Sequence, residues 1–473
     1  MATGSSLSLS TPGSPTEGDK LTFHWTTDAP DAKNWIGVYD GTRQPGTGSS
    51  LLWKYVPGTS GDLTLDTSAL TGGPYTAYLL AKDGYGVLAR SAPFSFTAKP
   101  AVTAPHSAVD ALTATPVNPG GGVSIKLGGL WSRPAGNPAG GATFRRTGGD
   151  SWLAVSADGT VTGTAPSSAL PHPAVVTVGV KDGTGALDSV TVQVPVVPPK
   201  SKVLLKVASW NLWEAGAHST DALEKQLRVI LTEGLDLLAL QETAGGNAKT
   251  LADALGWYCY QSPGSVGILS RYPLTAITAA TAELPAAGAT VQLPGGRTVR
   301  FWAAHLDEDS YGPYAVQDGR SAAEVTAAES GSLRYRQAQA LLAAMKPDLA
   351  SRTPVILAAE LSSPSHLDWT AATHGAQLDW PVTVAVQAAG LTDSFRHQHP
   401  DPVASPGATW SPTRKLRGSL PEPQDRVDYV TYAGKLTLVE AHTLATGWPA
   451  AEPNAAANGW PADTAAAVAT FAL

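Results

Sequence analysis

The stretch Pro354-Val-Ile-Leu-Ala-Ala-Glu-Leu-Ser-Ser-Pro-Ser-His-Leu-Asp-Trp369 decides how the rest of this chain is interpreted. Val355 to Ala358 is a short apolar, β-prone run that is long enough for one buried strand. The chain becomes polar immediately afterwards, at Glu360 and the serines that follow it. Proteins of the α/β class often place chemistry at the C-terminal end of a buried strand. Taken alone, however, the segment favours a strand that runs into a turn with Glu360 in solvent.

Length and composition restrict the class of protein. The chain has 473 residues, of which 43% are hydrophobic and 15% charged, and its net charge is −7. This length predicts two to four domains. No run of lysine and arginine is long enough for a nucleic-acid footprint, so we expect no long nucleic acid as a partner. The single cysteine, Cys259, cannot form a disulfide within the chain.

Membrane insertion and export also leave signals in a sequence. No apolar run reaches the roughly 18 residues of a transmembrane helix. Residues 1–6 have neither the charged start nor the apolar core of a signal peptide, so we expect the mature or recombinant form. We expect a secreted or extracellular protein, because β-rich modules ahead of a catalytic unit are common in exported bacterial proteins.

Residues 1–98 predict an all-β domain. Short runs alternate apolar and polar residues and are separated by Gly, Pro, Asp and Ser, which is typical of a small β-sandwich. Three segments resemble the immunoglobulin-like domains attached to some phosphatases: Asn34-Trp-Ile-Gly-Val-Tyr39, Trp53-Lys-Tyr-Val56 and Gly73-Pro-Tyr-Thr-Ala-Tyr-Leu-Leu-Ala-Lys-Asp-Gly-Tyr85. Their aromatic residues fit core and interface positions, and any exposed ones could contact a glycan or another surface.

A second β-rich domain is expected at residues 108–199. Lys99-Pro-Ala-Val-Thr-Ala-Pro105 has the composition of a linker. Beyond it, Ser156-Ala-Asp-Gly-Thr-Val-Thr-Gly-Thr164 and Val175-Val-Thr-Val-Gly-Val-Lys-Asp-Gly183 resemble immunoglobulin-like or cadherin-like repeats of bacterial extracellular proteins. Asp158-Gly and Asp182-Gly are turn signals.

The pattern changes to α/β from Val203 onward. Val203–Trp213 and Leu235–Thr243 predict strands, and the helix between them carries an apolar stripe at Leu223, Leu227, Ile230 and Leu231. Strand, helix and strand within about forty residues form an α/β unit. Residues 266–270, 299–306, 425–432 and 468–472 predict further strands, and residues 332–345 and 383–390 predict helices.

The order of these segments resembles the endonuclease/exonuclease/phosphatase (DNase I-like) superfamily over residues 203–473. The resemblance rests on Ser-Trp-Asn211-Leu, Leu-Gln-Glu242, Gly267-Ile-Leu-Ser-Arg-Tyr-Pro273, Ala-Ala-His305-Leu, Asp-Arg-Val-Asp428-Tyr-Val and Trp460-Pro-Ala-Asp-Thr-Ala465. Each motif is weak, but six in the correct order are specific. The implied fold is a four-layer α/β/β/α sandwich, so the whole chain is expected to be multidomain, with two immunoglobulin-like sandwiches ahead of it.

The resemblance also implies roles for individual residues. Glu242 and Asn211 would bind Mg²⁺ or another divalent ion, which prefers carboxylate and other oxygen ligands. The ion would neutralise charge on a phosphoryl group. His305, Glu360, Asp428 and Asp463 occupy catalytic positions of the family, and Asn211, Ser362 and Thr464 occupy substrate-facing ones.

Three positions depart from the family pattern. Glu360 stands where the family has Asp in its Gly-Asp-Phe-Asn motif, Ser362 replaces the Asn, and Thr464 replaces the His of Ser-Asp-His. A displacement of about 1 Å in a catalytic group can cost about 100-fold in rate. Threonine is no general base near neutral pH, and loss of a general base typically costs about 10²–10⁴-fold. Asp428 is then expected to lack its imidazole partner.

Three hypotheses follow. The first is a metal-dependent phosphoesterase in which His305 or a metal-bound water replaces the lost base. The second is a catalytically dead binding or scaffold protein, and the third is a re-purposed site that uses Glu360 as an acid or base. His366 follows the Glu360 turn and is expected to face the pocket. Tyr311–Tyr314 and a loop at residues 318–332 are expected to cap it, which favours a small or lipid-like phosphoester.

Overall fold

The computed structural model describes residues 4–10, 15–16, 19–40, 44–46, 50–67, 70, 72–97, 104–133, 141–447 and 449–473. The chain divides into two compact units, one of residues 1–101 with 446–450 and one of residues 102–445 with 451–473. Most of the predicted linker at residues 99–105 falls outside the described residues. Among the helices of the described residues, none is long and apolar enough to cross a membrane.

The first unit is all-β, as its alternating sequence predicts. Its strands are β1 Ser6–Leu9, β2 Leu21–Thr26, β3 Trp35–Asp40, β4 Leu52–Tyr55, β5 Ser60–Leu65, β6 Tyr75–Ala81 and β7 Gly86–Arg90. They form two antiparallel sheets, β1-β2-β5 and β4-β3-β6-β7. Phe23 and Leu65 of one sheet share a buried core with Ile36 and Leu79 of the other. Residues 94–97 form only isolated bridges.

The second unit begins with another β-rich region. Its strands are β8 His106–Ser107, β9 Ala111–Thr113, β10 Gly122–Lys126, β11 Trp131–Ser132, β12 Thr143–Gly149, β13 Leu153–Val155, β14 Thr160–Thr164, β15 Ala174–Lys181 and β16 Leu187–Val194. They form sheets in the orders β12-β15-β16-β9, β10-β14-β13 and β11-β8. Every second residue of β15 is buried, as expected for a strand with one face on a core.

The remainder of the second unit is α/β. Its strands are β17 Leu204–Asn211, β18 Leu237–Gln241, β19 Tyr258–Gln261, β20 Gly267–Ser270, β21 Leu274–Thr278, β22 Ala286–Leu293, β23 Arg297–His305, β24 Val355–Glu360, β25 Thr392–Asp393, β26 Leu416–Arg417, β27 Leu420–Pro421, β28 Asp428–Ala433, β29 Thr437–Leu444 and β30 Ala466–Ala472. Its helices are α1 Trp213–Gly216, α2 Ala222–Thr232, α3 Asn247–Leu255, α4 Gly312–Gln317, α5 Ala322–Ser330, α6 Leu333–Leu349, α7 Ala371–His374, α8 Pro381–Ala388 and α9 Ser394–Gln398.

Two six-stranded sheets organise this region, in the orders β19-β20-β18-β17-β30-β29 and β21-β22-β23-β24-β28-β25. Val207 and Phe471 of the first sheet share one buried core with Phe301 and Ile356 of the second. In each sheet the two central strands are parallel, β17 with β18 and β23 with β24. Their C-terminal ends therefore lie side by side, which places the residues that follow them together.

The β-rich region and the α/β region share a hydrophobic core. Leu130 of the former packs in the same buried cluster as Leu227 of α2 and Leu251 of α3. The Arg271 guanidinium also donates a hydrogen bond of 2.8 Å to the carbonyl oxygen of Thr113.

Two expectations about local structure are corrected. Leu223, predicted in the apolar stripe of α2, is 39% exposed, whereas its neighbour Glu224 is buried. Glu224 lies 3.2 Å from His106 and is also paired with Arg228. Charge pairing rather than apolarity therefore determines which side chain is buried at this position of α2. The expected loop at residues 318–332 contains α5, whose N-terminus is closed by a capping box of Ser321 and Glu324.

Candidate metal and phosphoester site

The strand ends bring five of the predicted residues to one place. Asn211 ends β17, and Glu242 directly follows the end of β18 beside it. In the second sheet His305 pairs with Glu360 in parallel register, and Glu360 pairs with Asp428 in antiparallel register. Because central parallel strands finish at one edge of a sheet, polar residues collect there around a buried core.

Glu242, His305 and Glu308 form a cluster that can hold a metal ion. One ligand atom from each residue lies within 4.8 Å of those of the other two. The sequence motifs do not identify Glu308, although it lies three residues after His305 in the acidic run Asp307-Glu308-Asp309. That run is the signal that could have found it. Two carboxylates and one imidazole are donors that divalent ions such as Mn²⁺ and Zn²⁺ accept, and carboxylates also suit Mg²⁺.

Asn211 holds the carboxylates of this site. Its amide nitrogen donates hydrogen bonds of 2.7 Å to Glu242 Oε1 and to Glu360 Oε2. Its amide oxygen accepts a hydrogen bond of 2.8 Å from the backbone N–H of Trp213, which fixes the orientation of the amide. In this orientation Asn211 positions Glu242, and the NH₂ group faces the carboxylates.

Ser265 is a second residue that the sequence motifs do not reveal. Its hydroxyl lies 2.6 Å from His305 Nδ1 and accepts a hydrogen bond of 3.0 Å from the backbone N–H of Glu242. One hydroxyl therefore orients two of the three candidate ligands. With Nδ1 engaged, Nε2 is the imidazole nitrogen that remains open to a ligand, and such partners to the other ring nitrogen are usual for metal-bound histidines.

The backbone at two site residues is in the left-handed region. Glu242 has a φ of 53° and Ser362 a φ of 50°. Each such conformation costs of order 1–3 kcal/mol for a residue with a side chain, and such residues concentrate at functional sites. The fold therefore holds both strand ends in conformations that local propensity disfavours.

Glu360 is buried between three polar neighbours. Its Oε2 accepts the hydrogen bond from Asn211 and lies 3.5 Å from His305 Nε2. Burial raises the pKa of Glu360 well above its ordinary value, and the charges of Glu242, Glu308 and Asp463 raise it further. Burial has the opposite effect on the imidazole of His305: it lowers the pKa, whereas the nearby carboxylates raise it. The imidazole is therefore kept neutral.

The hydroxyl of Ser362, a predicted substrate-binding group, makes a hydrogen bond within the protein. It donates this hydrogen bond, of 2.9 Å, to the carbonyl oxygen of Leu306. The bond ties the turn after β24 to the end of β23. The serine thus joins the two strand ends that carry Glu360 and His305.

Asp428 and Thr464 are buried without side-chain partners among the described residues. Neither carboxylate oxygen of Asp428 has a hydrogen-bond partner among these residues, and the Thr464 hydroxyl has none either. Both residues are 0% exposed. Burial raises the pKa of Asp428 well above its ordinary value, and repulsion from the Glu360 carboxylate raises it further. Thr409 accepts from the backbone N–H of Asp428 and of Val427, which anchors the strand.

Asp463 titrates in the neutral range. Burial raises its pKa to about 7, and repulsion from Glu242 adds to this, while Arg414 opposes it. Its carbonyl oxygen accepts a hydrogen bond of 2.5 Å from Ser411. Its carboxyl group can therefore hold or release a proton near neutral pH.

His366 lies apart from the residues above. Its Nδ1 is 2.9 Å from the hydroxyl of Thr383, and its Nε2 is 2.7 Å from Oε1 of Gln387. It lines a small cavity together with Leu361 and Val386. Both ring nitrogens are thus engaged by α8, and the structure does not bring His366 together with Glu242 and His305.

A buried arginine fixes the loop that carries Glu308. Arg334 of α6 is 0% exposed and pairs with Glu329 at 3.1 Å. Its guanidinium donates hydrogen bonds of 2.7–2.8 Å to the carbonyl oxygens of Asp307, Asp309 and Ser310. The N–H of Asp307 in turn donates to Gln337 Oε1 at 2.7 Å. The loop is held to α6 on both sides of Glu308.

A divalent cation fits this donor set. Nε2 of His305 is buried without a hydrogen-bond partner, and it faces a cluster whose carboxylates repel one another. Uncompensated buried charge is costly unless it is paired or coordinates a metal. Glu242, His305 and Glu308 are therefore the residues that would hold the ion, with Asn211 and Ser265 behind them.

Comparison with known proteins finds a family model and a relative that match part of the chain. A model of the Endonuclease/Exonuclease/phosphatase family matches residues 208–450. The uncharacterized protein F14F9.5 of Caenorhabditis elegans is 30% identical over 253 residues, which cover 49% of this chain and 79% of that protein.

Two solved structures resemble the chain more distantly. An endonuclease/exonuclease/phosphatase from Beutenbergia cavernae is 16% identical. The match covers 57% of this chain and 72% of the chain of that structure, with a TM-score of 0.35. A family protein from Bacteroides thetaiotaomicron is 12% identical, covers 58% of this chain and 99% of its own, and has a TM-score of 0.37. Neither is similar enough to support an argument about the site.

Proposed function

This chain belongs to the endonuclease/exonuclease/phosphatase family, and on that premise we propose that it is a secreted, metal-dependent phosphoesterase-like hydrolase. The observation that carries the proposal is the cluster of Glu242, His305 and Glu308, whose ligand atoms lie within 4.8 Å of one another. A divalent ion there supplies positive charge that neutralises phosphoryl oxygens. Asn211 and Ser265 orient its ligands through the hydrogen bonds described above.

The proposed substrate is a small or lipid-like phosphoester. The net charge of −7 and the buried carboxylates disfavour a long polyanion. Turnover is expected to be slow, because Thr464 offers no basic nitrogen beside Asp428.

The proposal includes a domain arrangement and a cellular location. The N-terminal β-rich regions are proposed to be immunoglobulin-like sandwiches, and the catalytic region a four-layer α/β/β/α sandwich. The shared core between its two six-stranded sheets supports the second point. Secretion is proposed because such β-rich modules precede catalytic units in many exported proteins.

A second candidate is a binding protein without turnover. It is favoured by Asp428 and Thr464, whose buried polar atoms lack hydrogen-bond partners among the described residues. A family site that loses its imidazole keeps its shape and metal ligands but loses the usual proton acceptor. The two candidates therefore agree on metal binding and differ on hydrolysis.

Calorimetric titration with Mn²⁺ and Mg²⁺ tests the site that both candidates share. The wild-type chain should bind one ion, and Glu242→Gln should bind at least about 10-fold more weakly, since a charged ligand is lost. Glu283→Gln serves as the matched control, because Glu283 is exposed and bonds only to Thr281 among the contacts described. Absence of binding in the wild type, or equal binding by Glu242→Gln, would overturn the metal site.

Hydrolysis of bis(p-nitrophenyl) phosphate and p-nitrophenyl phosphate then separates the candidates. Metal-dependent turnover by the wild type that Glu242→Gln abolishes supports the phosphoesterase. Activity that appears only in Thr464→His, with a gain of about 10²–10⁴-fold, supports an intact scaffold that lacks its base.

A further inference from the structure

The first compact unit exposes a group of aromatic side chains, here called the aromatic patch: Trp53, Tyr55 and Tyr85. Their exposed fractions are 55%, 45% and 55%. Among the described residues of that unit, these three are its exposed large hydrophobic side chains, and all are aromatic. A surface that simply tolerated apolar residues would be expected to include Leu, Ile or Val as well.

The patch is held in place from beneath by Trp35. The Trp35 ring meets those of Trp53 and Tyr85 edge-on, at centroid distances of 6.0 Å and 6.1 Å, and Trp53 meets Tyr55 at 5.2 Å. Trp35 is only 8% exposed, and its indole N–H donates to the carbonyl oxygen of Gly84. The exposed rings are therefore fixed rather than free to collapse.

The register of β3 and β4 makes room for this packing. Trp35 lies opposite Tyr55, and Gly37 lies opposite Trp53. A Cβ atom at Gly37 would come within 2.6 Å of the Trp35 ring, so the glycine allows the indole to lie beside Trp53.

The patch is on the outer face of its sheet. Ile36 and Val38, which alternate with Trp35 and Gly37 along β3, belong to the core between the two sheets. The outer face of an antiparallel sheet is normally polar. The rings of the patch lie outside the core between the two sheets, and they contact Trp35, which belongs to a second buried cluster with Tyr39 and Leu80.

Polar groups with fixed geometry border the patch. Asp83 accepts a hydrogen bond of 2.5 Å from the Tyr55 hydroxyl and another from the Lys33 ammonium group. Lys82 and Asp83 both have left-handed backbone conformations, with φ of 54° and 58°. The turn thus holds the Asp83 carboxylate, and through it the Lys33 ammonium group, at the edge of the rings.

We propose that the aromatic patch of Trp53, Tyr55 and Tyr85, bordered by Asp83 and Lys33, binds carbohydrate, with pyranose units of a polysaccharide as the ligand. A pyranose ring presents weakly positive C–H groups on one face, which stack on the negative face of an aromatic ring. Its hydroxyl groups match the acceptor and donor at the edge of the patch. Exposed large aliphatic residues, which lack a π face, are missing from the described part of this unit.

Affinity electrophoresis of the full chain in gels that contain xylan, hydroxyethylcellulose, laminarin or glycol chitin tests this proposal. The wild type should be retarded in at least one gel, and Trp53→Ala should raise the dissociation constant at least 10-fold. Tyr258→Ala is the matched control, because Tyr258 is 49% exposed and lies in the other compact unit. Its retardation should equal that of the wild type.

Two further variants keep the test decisive. Tyr85→Ala should weaken retardation as Trp53→Ala does, and Tyr55→Phe should weaken it less, because the ring stays while the bond to Asp83 is lost. Lack of retardation in all four gels would overturn the proposal, as would equal retardation of folded Trp53→Ala and wild type. The result is independent of the phosphoesterase proposal, because metal binding is measured at Glu242 in the other unit.

Discussion

At the scale of single residues, the carboxylates define the character of the candidate site. Asp428 is buried with no partner on either oxygen among the described residues, while Glu360 is bonded by Asn211. Burial raises the pKa of both carboxyl groups. A bound cation would reverse this effect by stabilising the charged forms. The site as it stands therefore stores electrostatic repulsion that a metal ion relieves.

Asp425 gives a pH-dependent prediction outside the metal ligands. It is 5% exposed and accepts hydrogen bonds from Trp369 and Tyr311, at 2.7 Å and 2.8 Å. Burial raises its pKa from 3.8 to about 6, so the folded state binds the proton more tightly than the unfolded state. Its contribution to stability is present below about pH 4 and is lost as the pH rises through about 6.

Asp425→Asn should therefore flatten the stability profile. Between pH 4 and 7 the free energy of unfolding of the wild type should fall by up to about 3 kcal/mol more than that of the variant, at 1.36 kcal/mol per pKa unit. Urea denaturation followed by tryptophan fluorescence at each pH measures the difference. Parallel profiles would show that Asp425 has an ordinary pKa in the fold.

At the scale of elements, the loop between β23 and α4 depends on α6. Ser310 in this loop has a left-handed backbone with φ of 56°. The carbonyl groups around Glu308 point at one guanidinium, that of Arg334. A buried arginine contributes little to protein stability unless its N–H groups have hydrogen-bond partners, and here the carbonyl groups of the loop are such partners. The helix thereby determines where a candidate metal ligand lies.

Arg334→Met should weaken metal binding without touching a ligand. Removal of the guanidinium frees the loop, and we expect the dissociation constant for Mn²⁺ to rise about 10-fold, the lower end of the effects seen for groups behind metal ligands. Arg336→Met is the control, since Arg336 is exposed on the same helix and bonds to Gly331. Calorimetric titration with Mn²⁺ measures the dissociation constants, once circular dichroism has shown that both variants are folded. If Arg334→Met binds Mn²⁺ as tightly as Arg336→Met and the wild type, the prediction is wrong.

At the scale of the whole molecule, the second compact unit joins a β-rich region to the α/β region through one core. Leu130, Leu227 and Leu251 are all within it, although they are far apart in sequence. Such a core should make the two regions unfold together, unlike domains joined by a flexible linker.

Leu130→Ala tests this joint core. Loss of a buried leucine costs about 2–5 kcal/mol, and the loss should appear in the unfolding of the α/β region although Leu130 lies outside it. Leu187→Ala, at a position in the β-rich region that is 75% exposed, should change stability by less than about 0.5 kcal/mol. Hydrogen exchange of amides in β17 and β18 reports the α/β region directly. Unchanged protection there in Leu130→Ala would show that the regions unfold separately.

The sequence by itself determined the family, the β-rich N-terminal regions and the strand ends that carry Asn211, Glu242 and His305. These features are local, because strand periodicity and short motifs depend on neighbouring residues. The motifs alone also predict departures from the family pattern at Glu360 and Thr464, and these stay predictions.

Only the tertiary structure decided which other groups complete the site and which do not. Ser265, Glu308 and Arg334 come from separate elements, and nothing in their local sequence shows that they meet. His366 lies near Glu360 in sequence, but α8 engages both its ring nitrogens elsewhere. The physical reason is that side-chain contacts between distant segments depend on how the sheets and helices pack, and packing is a property of the whole unit.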